Sequence, residues 1–406
     1  MAVLTPHLIP QKRTRDDVQA PRLSTIRRED IEDLLQLPGR PRVSIYMPTF
    51  RAGAETQQNP IRLKNLLRTV QQKLEESGME STDAAELMTP VRELVDDQAF
   101  WQTQSDGLAI FFSPEVFRTY RLPTPLDEFV LVNERFHLKP LFTLLAEDQP
   151  FYVLALSLKG IRLIQASQHQ ARELEIPGVP QSLTEALGDL TRRYTQFQPS
   201  TSSKTVARSP IFHGHGTGED NLKAEIVQFF NLADKALLKY MDRDVPVVLA
   251  GVEYLLPRYK ETTEHRQILD EGLTGNAEGL SPEELRDMAW EIVEPVLTAD
   301  RRKAAERYGD LLGTGRASSR YEEILPAAHD GRIDTLFVAR GVRLWGSYDP
   351  KQREVRLQED QDAPRKGGED LLDLAAVRTF LNGGKVYAVP QQEVPDGQAM
   401  AAVFRY

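Results

Sequence analysis

Apolar runs of strand length alternate with amphipathic helical stripes along this chain, from residue 43 to residue 389. A chain patterned in this way buries itself by stacking helices on sheets, which places it in the α/β class. Its 406 residues, at about 150 per domain, predict two or three domains. Apolar residues make up 40% and charged residues 27%, which excludes a largely disordered or collagen-like chain.

The alternation divides the chain into three segments, 1–136, 137–243 and 244–406. In the first, a polar start leads to a short helix over 28–35 and a strand over 43–47. Asn59-Pro60 then reads as a cap and first-turn proline for a helix whose stripe is Leu63, Leu66, Leu67, Val70 and Leu74. A second helix is predicted over 82–95, followed by strands over 107–112, 116–122 and 128–132. The second segment opens with a helix over 139–145. Two apolar runs, 151–158 and 161–166, follow across the turn Lys159-Gly160, which is a hairpin signal. A helix over 182–187 precedes a polar stretch, 196–218. Beyond it Thr217 and Asp220 have capping-box spacing, and Leu222, Ile226, Phe229, Phe230, Ala233 and Leu237 form the buried face of a long helix. The third segment begins with a buried-strand run, 245–252, and Ser281-Pro-Glu-Glu284 opens a helix. Helices over 320–328 and 370–381 and strands over 335–339, 343–347 and 385–389 describe an α/β/α layering, with 358–369 as an exposed loop.

The chain contains no cysteine. That excludes a disulfide framework, a thiolate metal site, an iron–sulfur cluster and a cysteine nucleophile. No apolar run reaches the roughly 18 residues a membrane span needs, and the first 15 residues have no signal-peptide core. A cytoplasmic protein without a membrane partner is expected. The net charge of −10 argues that any nucleic-acid contact is local.

The most unusual local sequence is Phe212-His-Gly-His-Gly-Thr-Gly218, immediately before the long helix. Gly214, Gly216 and Gly218 would let the backbone approach a ligand, and a helix N-terminus offers free N–H groups to an anion. Between Leu190 and Gly218 stand Arg192, Arg193, Lys204 and Arg208, with no Asp or Glu. This local reversal of sign points to a polyanion such as RNA. The same composition also suits a solvated loop. A metal at His213 and His215 would have to recruit Glu219 or Asp220, so none is expected, while either imidazole could act as a general base near neutral pH.

Other candidates are ordinary surface charge first. Arg301, Arg302, Lys303 and Arg307 are flanked by Asp300, Glu306 and Asp310, and Arg51, Arg62, Lys64 and Arg68 adjoin the first long helix. No Gly-x-Ser-x-Gly elbow, Walker loop, His-Glu-x-x-His or dinucleotide fingerprint occurs, and no cofactor is expected.

Three stretches together carry a resemblance. They are Val43-Ser-Ile-Tyr-Met-Pro-Thr-Phe-Arg-Ala-Gly53 with Asn59-Pro-Ile-Arg-Leu-Lys-Asn-Leu-Leu67, the central His213-Gly-His-Gly216, and Ala376-Val-Arg-Thr-Phe-Leu-Asn-Gly-Gly-Lys-Val-Tyr-Ala-Val-Pro390. With this order of segments the chain resembles, over nearly its whole length, the bacterial branch of the archaeo-eukaryotic release factor family, whose distant relatives include Pelota and Balon. The resemblance implies three domains: an N-terminal decoding-like α/β domain, a ribonuclease H-like middle domain carrying the functional loop, and an L7Ae-like α/β/α C-terminal domain. It also implies the ribosome and its RNA as partners, with tRNA and an elongation factor as further ones. The Gly-Gly-Gln tripeptide of termination factors is not found, its matching position holding His213-Gly-His-Gly216, and an Asn-Ile-Lys-Ser tetrapeptide is also missing.

Two functions remain open at this stage. In one, a non-enzymatic factor fills the ribosomal A site in rescue or hibernation. Arg192, Arg193, Lys204, Arg208, Gly214, Gly216 and Gly218 then meet ribosomal RNA near the peptidyl-transferase centre. In the other, His213 or His215 is the general base of a peptidyl-tRNA ester hydrolase. The sequence does not determine oligomeric state.

Overall fold

The computed structural model describes residues 26–180, 182–186, 218–361, 365 and 368–406. The early elements are α1 (Arg28–Gln36), β1 (Arg42–Pro48), α2 (Gln58–Glu76), α3 (Ser81–Leu87), α4 (Thr89–Asp96), α5 (Gln98–Trp101), β2 (Gly107–Ser113), β3 (Val116–Leu122), β4 (Phe129–Asn133) and α6 (Lys139–Glu147). The central ones are β5 (Phe151–Ser157), β6 (Gly160–Ala166), β7 (Ala171–Leu174), α7 (Gly218–Leu237), β8 (Val247–Gly251), α8 (Leu256–Thr262), β9 (Leu273–Thr274) and α9 (Pro282–Leu297). Then come α10 (Ala299–Leu311), β10 (Ala317–Ser318), α11 (Tyr321–His329), β11 (Ile333–Ala339), β12 (Trp345–Asp349), β13 (Glu354–Leu357), β14 (Glu369–Asp370), α12 (Leu371–Leu381), β15 (Lys385–Val389) and β16 (Met400–Phe404). The protein is a mixed α/β structure with several sheets, as the periodicity indicates.

Local chemistry accounts for most boundaries. Ser281 and Glu284 form a capping box at the start of α9, the helix expected there, with the Glu284 amide donating to Ser281 Oγ at 3.2 Å and the Ser281 amide to Glu284 Oε2 at 2.8 Å. Gly383, at φ +74°, ends α12 in the left-handed conformation that favours glycine. The helix expected over 82–95 is two helices, because Thr89-Pro90 starts a new first turn in α4. Asn59 does not cap α2. Its buried amide instead pairs with both backbone groups of Phe50, each at 3.0 Å, and pins the loop before the helix.

Described residues fall into two compact units. One comprises the described residues of 151–166 and 171–289. Its sheet has the order β7-β6-β5-β8-β9, with β6 antiparallel to both neighbours and β5, β8 and β9 mutually parallel. That is the strand arrangement of a ribonuclease H-like core. The run over 245–252 therefore belongs to this sheet as the parallel partner of β5, whereas its position in the sequence had grouped it with the third segment. Ile226, Phe229, Phe230, Ala233 and Leu237 of α7 are buried against the sheet, while Leu222, expected on that face, is 42% exposed.

The other unit comprises 26–150, 167–170 and 290–406. Its first sheet is antiparallel, β3-β2-β1-β4. Val43, Ile45 and Met47 of β1 and Leu108, Ile110 and Phe112 of β2 pack on α2 and α4. The alternate residues Tyr46, Ala109 and Phe111 enter a second core with α6, α11 and α12. Both faces of β2 are thus covered, which is why it reads as a continuous apolar run. The second sheet is β10-β16-β11-β15, with β11 and β15 parallel. Leu336, Val338, Met400 and Ala402 face α11 and α12, and Phe337, Ala339, Ala401 and Val403 face Tyr308 of α10. Helices on both faces produce the expected α/β/α layering. Sequence reading did not assign β16, although it pairs with both β10 and β11.

Where the segment before α6 meets α12, a buried polar cluster holds the core together. Asp373 Oδ1 accepts from the Leu138 and Lys139 amides at 2.7 and 2.6 Å, satisfying the free N–H groups at the start of α6. Lys139 Nζ donates to Asp370 Oδ2 at 2.7 Å and also to the Val342 carbonyl. Beside them His137 is buried, and its Nδ1 lies 3.5 Å from Asp373 without a hydrogen bond. Burial lowers the His137 pKa from 6.5, outweighing the carboxylates of Asp373 and Asp370. The sign follows from proton uptake: below pH 6.5 the unfolded chain binds a proton that the folded one resists, so stability falls with pH until the folded value is reached. Denaturation midpoints of this unit should drop on going from about pH 7 to 5.5, and His137→Gln should flatten that slope. An unchanged slope in the variant would exclude His137 as its source.

Candidate functional site

Arg192, Arg193, Lys204, Arg208, His213, Gly214, His215 and Gly216 lie outside the described residues. Gly218 is the first residue of α7. The structure describes the frame on both sides of that stretch. On one side, the Leu183 amide donates to the Leu158 carbonyl at 3.0 Å, which ties the preceding helical turn, 183–186, to the β5–β6 turn. On the other, α7 is anchored through the buried Asp234. Its Oδ1 accepts from Tyr259 Oη at 2.8 Å and Thr263 Oγ1 at 2.6 Å, and its Oδ2 from the Glu264 amide at 3.1 Å. Burial, and next the Asp234 charge, hold the Tyr259 pKa far above its ordinary value, so the phenol stays a donor.

Next to Leu158 the unit has a concave site of about 300 Å³ at the carboxyl end of β5, lined by Ser157, Lys159, Gly160, Arg162, Ala277 and Glu278 among others. Open sheets with parallel strands offer ligand sites at such strand ends. Glu278 accepts from Ser157 Oγ at 2.6 Å and Lys159 Nζ at 3.0 Å, bonds that lower its pKa. Arg162 grips Glu173 of β7 through Nε and Nη2, and its Nη1 donates to the Leu280 carbonyl at 2.9 Å. The hydrogen bond to Glu173 raises the Arg162 pKa. Two cations and two carboxylates leave the rim close to neutral. Sequence reading did not single out this group, because Ser157 and Glu278 are 121 residues apart. The one local signal is the hairpin tip Ser157-Leu-Lys-Gly160.

No acidic side chain occurs in β5 or β8. Among the described residues no group of three or more His, Asp or Glu could hold a metal ion. The remaining basic candidates mostly have partners. Arg51 pairs with Asp106, Arg62 with Glu128, Arg301 with Glu393 and Arg307 with Asp334, while Arg302 donates to the Pro295 carbonyl. Arg68 donates to Asn65. These residues are surface charge held in place by neighbours. No helix among the described residues is long and apolar enough to cross a membrane.

The topology thus defines a multi-domain α/β protein whose middle sheet has ribonuclease H-like order. Residues 150–332 match the model of the bacterial archaeo-eukaryotic release factor family 3. This is the family the sequence resembles, and the matched stretch contains both the Gly/His-rich segment and the sheet that frames it. No curated protein matches the chain. Among solved structures the chain is similar to Dom34 of S. cerevisiae, a translation termination-like factor interacting with Hbs1, at 10% identity over 95% of this chain and 94% of that one, with a TM-score of 0.35. It is also similar to an archaeal translation termination factor at 15% identity over 94% and 99% of the two chains, TM-score 0.24. Archaeoglobus fulgidus Pelota is similar at 14% identity over 74% and 79%, TM-score 0.27.

Proposed function

We propose that the protein is a ribosome-associated translation factor that occupies the A site in rescue or hibernation. Its middle-domain stretch between Leu190 and Gly218 would be placed on ribosomal RNA near the peptidyl-transferase centre. The observation that carries this reading is the release-factor family match over 150–332, a stretch that encloses four cations and no acid between Leu190 and Gly218. Phosphate contacts from those cations give affinity, and the glycines give close approach. Ribosomal RNA is the main partner in this reading, with tRNA and an elongation factor as accessory ones. The C-terminal α/β/α layers take the L7Ae-like place in the architecture, and the site of action is the cytoplasm.

The test is co-sedimentation of the full chain with ribosomes from growing and from starved cells, followed by a peptidyl-tRNA cleavage assay on the bound fraction. Association without ester cleavage is expected. Cleavage that disappears when His213 and His215 are both replaced by alanine would instead establish the hydrolase. Failure to associate under any condition would overturn the translation reading.

A further inference from the structure

The cavity at the carboxyl end of β5 has a bonding pattern that the ribosome reading does not use. Its volume of about 300 Å³ is at the lower end of the roughly 300–1,000 Å³ of small-molecule sites. Ala155, Leu156 and Ala277 contribute apolar wall, and the polar groups at its rim are Ser157, Lys159, Arg162 and Glu278. Two of these are committed to the frame. Arg162 holds Glu173 through Nε and Nη2, and its Nη1 donates to the Ala277 and Leu280 carbonyls at 3.3 and 2.9 Å, which fixes the loop carrying Glu278. Ser157 Oγ accepts from the Lys159 amide at 2.9 Å and gives its own hydrogen to Glu278 Oε1 at 2.6 Å.

Glu278 and Lys159 keep bonding capacity. A carboxylate has about four lone-pair positions, and Ser157 and Lys159 take one on each oxygen of Glu278. An ammonium has three hydrogens, and Lys159 spends one on Glu278 Oε2 at 3.0 Å. In order along the rim stand an acceptor, Oε1, a second acceptor, Oε2, and a donor, Nζ. Charge is matched as well: Lys159 is the cation acting on Glu278, and Glu173 the anion acting on Arg162. With its cations paired, the rim suits a neutral planar group that brings two adjacent donors and then an acceptor. Guanine presents that order on its Watson–Crick edge, as N2–H, N1–H and O6. Adenine supplies one donor and one acceptor there, cytosine one donor beside two acceptors, and uracil one donor between two acceptors, so none of them meets all three groups.

We propose that this cavity binds a guanine base, in an unpaired RNA strand or as a free nucleotide, with Glu278 accepting from N1–H and N2–H and Lys159 donating to O6. The turn bearing Lys159 is the one to which the Leu183 amide is bonded through Leu158, so the cavity belongs to the frame of the basic stretch. A guanine carried by ribosomal RNA rests on the ribosome reading; recognition of the base itself does not.

The experiment is calorimetric titration of the full-length protein, without ribosomes and at constant ionic strength, with GMP, IMP, AMP, CMP and UMP, and with uridine hexamers that do or do not carry one central guanosine. The mononucleotides share a ribose phosphate, so differences among them report the base. GMP should bind about tenfold or more tighter than AMP, CMP or UMP, and IMP, which lacks the 2-amino group, several-fold weaker than GMP. Glu278→Gln replaces an acceptor with a donor and should remove the preference for GMP, and Lys159→Met should weaken GMP several-fold. Both side chains are at the rim, 82% exposed for Lys159 and 38% for Glu278, so neither variant disturbs the core. A guanosine-bearing hexamer that binds much tighter than GMP assigns the site to an RNA strand, and equal binding assigns it to the free nucleotide. Equal affinity for all bases, no binding of GMP or of either hexamer, or a Glu278→Gln variant with the parent's preference would each overturn the proposal. Such a failure leaves ribosome co-sedimentation unaffected, and a failure to co-sediment leaves the base preference standing.

Discussion

Replacing Arg192, Arg193, Lys204 and Arg208 together with glutamine is expected to reduce ribosome affinity by about two orders of magnitude at physiological salt, and to remove most of its salt dependence. Each phosphate neutralised on single-stranded RNA contributes about −0.7 to the slope of log affinity against log salt, so four contacts give about −3. For the parent chain this is about a 50-fold loss between roughly 50 and 200 mM salt. The variant should be nearly flat over the same range. Arg51 and Arg307 provide the control: they are ion-paired with Asp106 and Asp334, so replacing them should leave the slope within about one unit of the parent's. Quantitative sedimentation at four salt concentrations reads both outcomes. A quadruple variant with the parent's slope would remove this segment from the RNA interface.

The second large effect concerns Lys139 and Asp370, whose side chains are 4% and 0% exposed and 2.7 Å apart. Burial by itself would raise the Asp370 pKa, yet Lys139 and His137 more than offset it, and the carboxyl is held below its usual value. Asp370 also accepts from the Leu344 and Leu372 amides at 3.2 and 3.1 Å, capping α12. Lys139→Met should therefore cost about 3–5 kcal/mol, because it leaves a buried carboxylate without its cation. Lys139→Met combined with Asp370→Asn should recover much of that loss, since no bare charge then remains. A chain with two units does not unfold in a single step, so the measurement is amide hydrogen exchange in α6 and α12, read against α7 as an internal reference. Equal exchange in the Lys139→Met variant and the parent would show that the pair contributes nothing.

The legibility of the fold varied with how far each signal reached along the chain. Stripes such as Leu63, Leu66, Leu67, Val70 and Leu74 identify a helix because a 3.6-residue period is local, and all five are buried. The run Gly107 to Phe112 identified a strand for the same reason. Asn59 was misread as a cap because an Asn beside Pro60 looks the same whether its amide turns to the helix or to Phe50. Leu222 was misassigned because the face of α7 that meets the sheet ends near Ile226. At the candidate site, the charge reversal and the glycines were local and visible. The hydrogen-bonded group around Glu278 was not, since it joins residues of β5 and β6 to a loop more than a hundred positions away.

By itself the sequence determined the α/β class, most of the helices and strands, the position of the Gly/His-rich segment before α7 and the likeness to release factors. These depend on periodicity, capping residues and composition, which act between near neighbours. Only the tertiary structure decided that β8 lies beside β5, that Tyr46 and Phe111 share a core with α12, and that Asp373 caps a helix starting more than two hundred residues earlier. Such pairings depend on which buried faces and unsatisfied backbone groups meet in space, and sequence spacing carries no record of that meeting.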